Sequence, residues 1–266
     1  ITQMFTIHQI AFYLHVAVGS CALILFWVPV FTRKGNLDHK KFGRYFSRAM
    51  YIVAISGLTM SSLDLAFPLA THAAELNLGA EEARGATAEI RTFALFLFSL
   101  SILVLTNTRQ GWLSIKGKTD RSALRNPVHV ALCSALVLVG LVLFANGLRV
   151  GSTLFLIFGA LQVASGIGSL RYNFKSELKD KEWWIDHLRG LIGSGIGAYT
   201  AFLVFGGRQL FEGIFGSVYG NVSILLWVAP GVIGAIAISL SSAHYKAKFG
   251  GDWAVKHAKL RTNLFQ

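Results

Sequence analysis

His8 and His15 stand seven residues apart in the stretch IHQIAFYLHVAVGSCALILF, which is otherwise apolar enough for lipid. Seven residues are nearly two helical turns, so both imidazoles fall on one face, roughly 10 Å apart along the axis. A second ionisable group, Asp64, sits inside the apolar run LTMSSLDLAFP. Ionisable side chains in hydrocarbon are costly unless paired, and where they occur they mark proton relays, ion paths or cofactor ligands. The remaining candidates are His72, His129, His187 and His244, each near the end of an apolar segment, and His39 among lysines. Which of these can meet depends on the elements that carry them.

The chain has 266 residues, of which 53% are hydrophobic and 14% charged, with a mean hydropathy of +0.54. A soluble domain carries about 25% charged residues, so most of this surface is expected to face lipid. A net charge of +12 would suggest nucleic acid in a soluble protein, but here it fits Lys and Arg holding loops on the cytoplasmic side. Cys21 and Cys133 lie in apolar runs and form no C-x-x-C or disulfide framework. The chain opens on Ile1, which predicts a natural start upstream, and no signal-peptide pattern is readable at this end.

Seven segments qualify as spans of about 20 residues, at about 6–31, 48–70, 90–107, 127–147, 150–172, 187–206 and 221–244. The connecting charges alternate. The first loop, TRKGNLDHKKFGRYFSR, is basic; the second holds Glu75, Glu81, Glu82 and Glu89; the third is basic again, with Arg109, Lys116, Lys118, Arg121 and Arg125. The tail from Lys246 is also basic. The positive-inside rule then gives an all-α integral membrane protein of seven transmembrane helices, N-terminus outside and C-terminus cytoplasmic, forming one domain over 1–266.

Depth along the helices sorts the polar residues into two layers. His8 and His72 share an outer level, while His15 and Asp64 share a deeper one and are expected to couple as a pair. His129, His187 and His244 open or close three different spans at the cytoplasmic side. Three histidines at one depth can hold a metal or a haem; ordinary interfacial roles are the alternative for His8, His72, His129 and His244. Gln162 and Tyr199 fall near the midplane, where they could contact a quinone or another substrate. Gly190, Ser194, Gly197 and Ala201 have the small-xxx-small spacing of close helix approach. There is no Walker loop, G-x-S-x-G elbow or H-E-x-x-H.

The motifs LHVAVGSCALILF, DHKKFGRYFSRAM, RTFALFLFSLSILVLTNTRQGW and DHLRGLIGSGIGAYTAFLVF, in that order, resemble a bacterial polytopic membrane family known only as domain of unknown function 2306. The resemblance spans roughly residues 10 to 205. It implies the helical fold and the inner-membrane setting, and it directs interest to His15, His39, Arg44 and His187. Arg44 thereby joins Gln162 and Tyr199 as a candidate quinone or substrate contact.

Four functions stay open on these residues. The leading one is a redox protein holding haem b through His8, His15, His72, His129, His187 and His244 and exchanging electrons with quinone; in layout it resembles the ascorbate-reducible b-type cytochromes. A second is a membrane-embedded lipid hydrolase with zinc or another metal on His129, His187 and His244. Third is a proton- or ion-coupled transporter working through His15 and Asp64. The last is an accessory subunit of a larger membrane complex or a homo-oligomer. None of them calls for nucleic acid.

Overall fold

The computed structural model describes residues 2–72, 78–216 and 219–249, and among these every regular element is helical. The elements are α1 (Thr2–Phe31), α2 (Leu37–Ala66), α3 (Pro68–Thr71), α4 (Ala80–Gly117), α5 (Pro127–Val150), α6 (Thr153–Phe174), α7 (Glu182–Ala201), a π-helical turn (Phe202–Gly206), α8 (Arg208–Phe215) and α9 (Tyr219–Phe249). Among the described residues six helices are long and apolar enough to cross a membrane: those at Gln3–Phe31, Leu37–Ala66, Ala80–Gly117, Pro127–Val150, Thr153–Phe174 and Ile224–Lys248. α7 is not one of them. Glu182, Asp186, His187 and Arg189 make its first half polar, and glycines dilute the second. Trp253 and the basic tail beyond Phe249 lie outside the described residues, as does Glu75.

Local chemistry explains the breaks. At the end of α1, Lys34 Nζ donates to the carbonyls of Pro29 (2.7 Å) and Val30 (2.6 Å), placing a cation where the helix dipole is negative. Burial there pushes the Lys34 ammonium below the ordinary lysine value. Asn36 caps α2 by accepting from the His39 amide at 2.8 Å, and Asp38 follows in the first turn. α2 stops at Phe67 because Pro68 has no amide hydrogen to continue it. The span expected at 48–70 is therefore a longer helix from Leu37 to Ala66 followed by a separate turn. α4 likewise exceeds its expected 90–107, since Glu81 and Glu82 favour its start and Lys116 its end.

By internal contacts the chain divides into two compact units, Ile1–Thr108 with Ala131–Gly168, and Arg109–Val130 with Ser169–Gln266. In the first, α1 and α2 form a hairpin, and Ile102 and Leu103 of α4 pack on Leu136 of α5. Phe96 stacks on Phe155 and meets Phe158 edge-on, both at 5.3 Å between ring centroids. α5 and α6 approach at glycine: a Cβ at Gly159 would lie 2.7 Å from the Phe144 nitrogen and 2.8 Å from the Gly140 oxygen. In the second unit α7 packs on α9, with Trp184 and Tyr245 ring centroids 4.0 Å apart.

Gly159→Ala forces backbone apart and is expected to destabilise the detergent-solubilised protein by about 1–3 kcal/mol. Gly168→Ala on the same helix, where nothing lies within 4 Å of the added Cβ, should leave thermal unfolding unchanged or slightly raised. Equal melting of the two variants would show that α5 and α6 do not pack as closely as described.

Candidate functional site

In the first unit the break at Phe67 creates the arrangement of greatest chemical interest. α3 is a single turn, and it brings His72 back toward the last turn of α2, where Asp64 is only 7% exposed. Asp64 Oδ1 lies 3.3 Å from His8 Nε2 on α1 and 3.9 Å from His72 Nδ1. The two imidazole rings are 6.1 Å apart and tilted by 51°. His72 Nδ1 also stands 3.0 Å from the Pro68 carbonyl and 3.0 Å from Thr71 Oγ1. Arg91 of α4 donates through Nε to the Leu65 carbonyl at 3.0 Å, adding a cation at the C-terminal end of α2. The Nδ1 atom of His8 is buried with no hydrogen-bond partner among the described residues.

The outer level shared by His8 and His72 thus gathers around Asp64, but the expected pairing of Asp64 with His15 does not form. His15 Nδ1 instead lies 3.0 Å from Ser56 Oγ. That hydroxyl donates to the Ile52 carbonyl at 2.7 Å, so it accepts from the imidazole. Ser56 and Asp64 are eight residues apart on α2, about 12 Å along the axis, which is too far for one imidazole to serve both. Gly57 leaves room beside this contact: a Cβ there would meet Ser101 Oγ at 2.6 Å and His15 Cε1 at 3.5 Å.

In the second unit a polar cluster draws on four helices. Gln110 and Ser114 stand one turn apart on the extension of α4, and His129 opens α5; Asn173 closes α6 and Asp186 lies in the second turn of α7. Gln110 Nε2 donates to Asn173 Oδ1 at 2.9 Å and to Asp186 Oδ2 at 2.8 Å. Both amide hydrogens are then used, so Gln110 Oε1 is an acceptor, and His129 Nε2 at 2.7 Å carries its hydrogen toward it. Ser114 Oγ touches Asp186 Oδ2 and the Gln110 carbonyl, the latter at 2.8 Å. His187 Nδ1 lies 2.8 Å from the Gly111 carbonyl. Ser114, His129 and Asn173 are fully buried.

No family model matches the chain, and no curated protein or solved structure is significantly similar to it. Its chemistry has to be read from these two clusters alone.

The inner trio expected from His129, His187 and His244 is not assembled. His129 and His187 bond to neighbouring residues of α4, whereas His244 is exposed on α9 with its ring 5.0 Å from that of Tyr245. Among the described residues no group of three or more His, Cys, Asp or Glu side chains is arranged to hold a metal ion. Gln162 is fully buried in the first unit, donating to Ser99 Oγ at 3.0 Å, and its Oε1 has no partner among the described residues. Tyr199 is half-buried in the second unit, and Arg44 is exposed on α2 beside Lys40, Lys41 and Arg48. His39 is not a loop residue: it lies in the first turn of α2 with Nδ1 3.1 Å from the Pro29 carbonyl.

Sequence reasoning passed over Gln110, Ser114, Asn173 and Asp186. The available signal was the one-turn spacing of Gln110 and Ser114 beyond an apolar run, together with an acid directly before His187. Gln110→Leu removes three side-chain hydrogen bonds and strands buried partners, so it should lower unfolding free energy by roughly 2–4 kcal/mol. Arg149→Gln, which loses only an exposed contact to Asn146, should cost no more than about 0.5 kcal/mol. Denaturation in a fixed detergent tests both, and a Gln110 variant as stable as the Arg149 variant would refute the network.

Proposed function

We propose that the chain is a multi-pass membrane protein that takes up and releases protons at Asp64, in exchange with His8 and His72, and so belongs with proton-coupled transport proteins. The observation that carries this reading is a nearly buried carboxyl, on a helix apolar enough to span lipid, that faces two imidazoles at 3.3 and 3.9 Å. Each neighbour can hold the proton the carboxylate gives up, and the closer contact is a small side-chain rotation from hydrogen-bonding distance. Paired ionisable groups of this kind are how membrane proteins move protons through an apolar medium. His15, bonded to Ser56, is then a positioned imidazole deeper on the same helix rather than the direct partner of Asp64.

The proposal includes seven spans with the N-terminus outside, α7 being the seventh, in the inner membrane of a bacterium and in the family that the motifs resemble. Support for α7 comes from the alternation of loop charge and from the bonds that meet its most polar group, Asp186. A redox protein using haem b and quinone is the second reading. Its support is the Nδ1 of His72 against the Pro68 carbonyl, since a carbonyl on one ring nitrogen orients the other as a ligand in many metal and haem sites.

Two measurements separate the readings. In vesicles reconstituted with the purified protein and holding a trapped pH dye, a potassium diffusion potential should drive proton entry. Asp64→Asn should slow that entry by at least about tenfold, while His257→Ala should match the unsubstituted protein. Undiminished flux in Asp64→Asn would end the proton reading. An oxidised-minus-reduced visible spectrum with one haem per chain, abolished by His72→Ala, would replace it with the redox one.

A further inference from the structure

We infer that Asp186 is a second proton-binding site, holding its proton as a neutral carboxylic acid hydrogen-bonded to Ser114. The inference goes beyond the proposed role of Asp64 and does not depend on it, because it rests on residues of the second unit alone.

Counting hydrogens carries the argument. Ser114 Oγ has one hydrogen but contacts two acceptors, the Gln110 carbonyl and Asp186 Oδ2. With an ionised Asp186 only one contact can be a hydrogen bond, and the other is oxygen against oxygen. With the acid protonated on Oδ2 both are satisfied: Asp186 donates to Ser114 Oγ, and Ser114 donates to the Gln110 carbonyl. Oδ2 still accepts from Gln110 Nε2 at 2.8 Å. The alternative of turning Gln110 around is blocked, since its other amide hydrogen is held by Asn173 Oδ1 and its oxygen faces His129 Nε2.

No cation pairs directly with Asp186: among the described residues no Lys, Arg or His lies within ion-pair distance of it. The charged and titratable groups that act on it at longer range are Glu182 and Arg189 on its own helix and Tyr172 on α6; Arg109 of α4 acts on His129. Glu182 is paired with Lys175 at 2.7 Å, and Arg189 is exposed. α9, packed on α7, presents Tyr245 to Trp184. Asp186 is thus held by dipoles, with no counter-charge in direct contact with it.

Infrared spectroscopy of the whole purified protein, labelled with ¹³C-aspartate, tests this directly. At neutral pH the labelled protein should show an isotope-sensitive carboxylic-acid carbonyl band equivalent to one aspartate. Asp186→Asn should abolish it, and Asp64→Asn should leave it in place. If Asp186→Asn does not fold, Ser114→Ala should shift the band, because the acid loses its acceptor. Absence of the band from the unsubstituted protein, its survival in Asp186→Asn, or an unmoved band in Ser114→Ala would overturn the assignment. Loss of the band in Asp64→Asn alone would also overturn it, while leaving proton exchange at Asp64 intact.

Discussion

A polar group inside an apolar helix has no water to bond, so the chain itself has to provide the partner. Short hydroxyls solve this within one turn. Ser47 donates to the Gly43 carbonyl, Ser61 to Gly57, Ser101 to Leu97 and Thr106 to Ile102, all at 2.7 to 2.9 Å. Longer side chains have to look to another helix. Gln162 reaches Ser99, Asn107 reaches Ser165 and accepts from its hydroxyl, and Gln110 reaches Asn173 and Asp186. Each such bond ties two helices, and both candidate sites grow where the local solution fails.

Charge in the connecting segments also holds helix ends. Arg121 donates to the carbonyls of Tyr172, Lys175 and Ser176, and Arg125 donates to that of Asn173 at 2.9 Å. Tyr172 and Asn173 are in the last turn of α6, where carbonyls lack partners further along the helix, and Lys175 and Ser176 follow it directly. Holding them fixes the residue that meets Gln110, so the basic segment before α5 shapes the cluster as well as contributing to the charge pattern. Lys34 does the same at the end of α1.

Much of this was legible in the sequence, for reasons that also mark the limits. Hydropathy finds a helix because an unbroken apolar run has few other folds, and six of the expected spans correspond to helices of the required length. Depth along a helix put His8 and His72 on one level and Asp64 with His15 on a deeper one, whereas Asp64 lies against His8 and His72. Depth could not resolve which side chain Asp64 meets, because the break at Phe67 moves His72 by a local turn that hydropathy does not register. Gln110 escaped notice because the apolar run ends at residue 107 while the helix runs to Gly117. A helix continues as long as its caps and propensities allow, whether or not its residues are apolar.

The two aspartates show why residue type alone is a poor guide to role. Asp64 faces imidazoles, which can carry a positive charge, so the carboxylate and its neighbours can share a proton while the cluster stays close to neutral. Asp186 faces an amide and a hydroxyl, and the imidazole of His129 bonds to that same amide group instead. Dipoles compensate a buried charge less completely than a counter-ion does, and a proton on the carboxyl removes the deficit altogether. The roles proposed for the two differ accordingly, exchange at Asp64 and retention at Asp186. What distinguishes them is whether the partner across the helix gap can itself become charged.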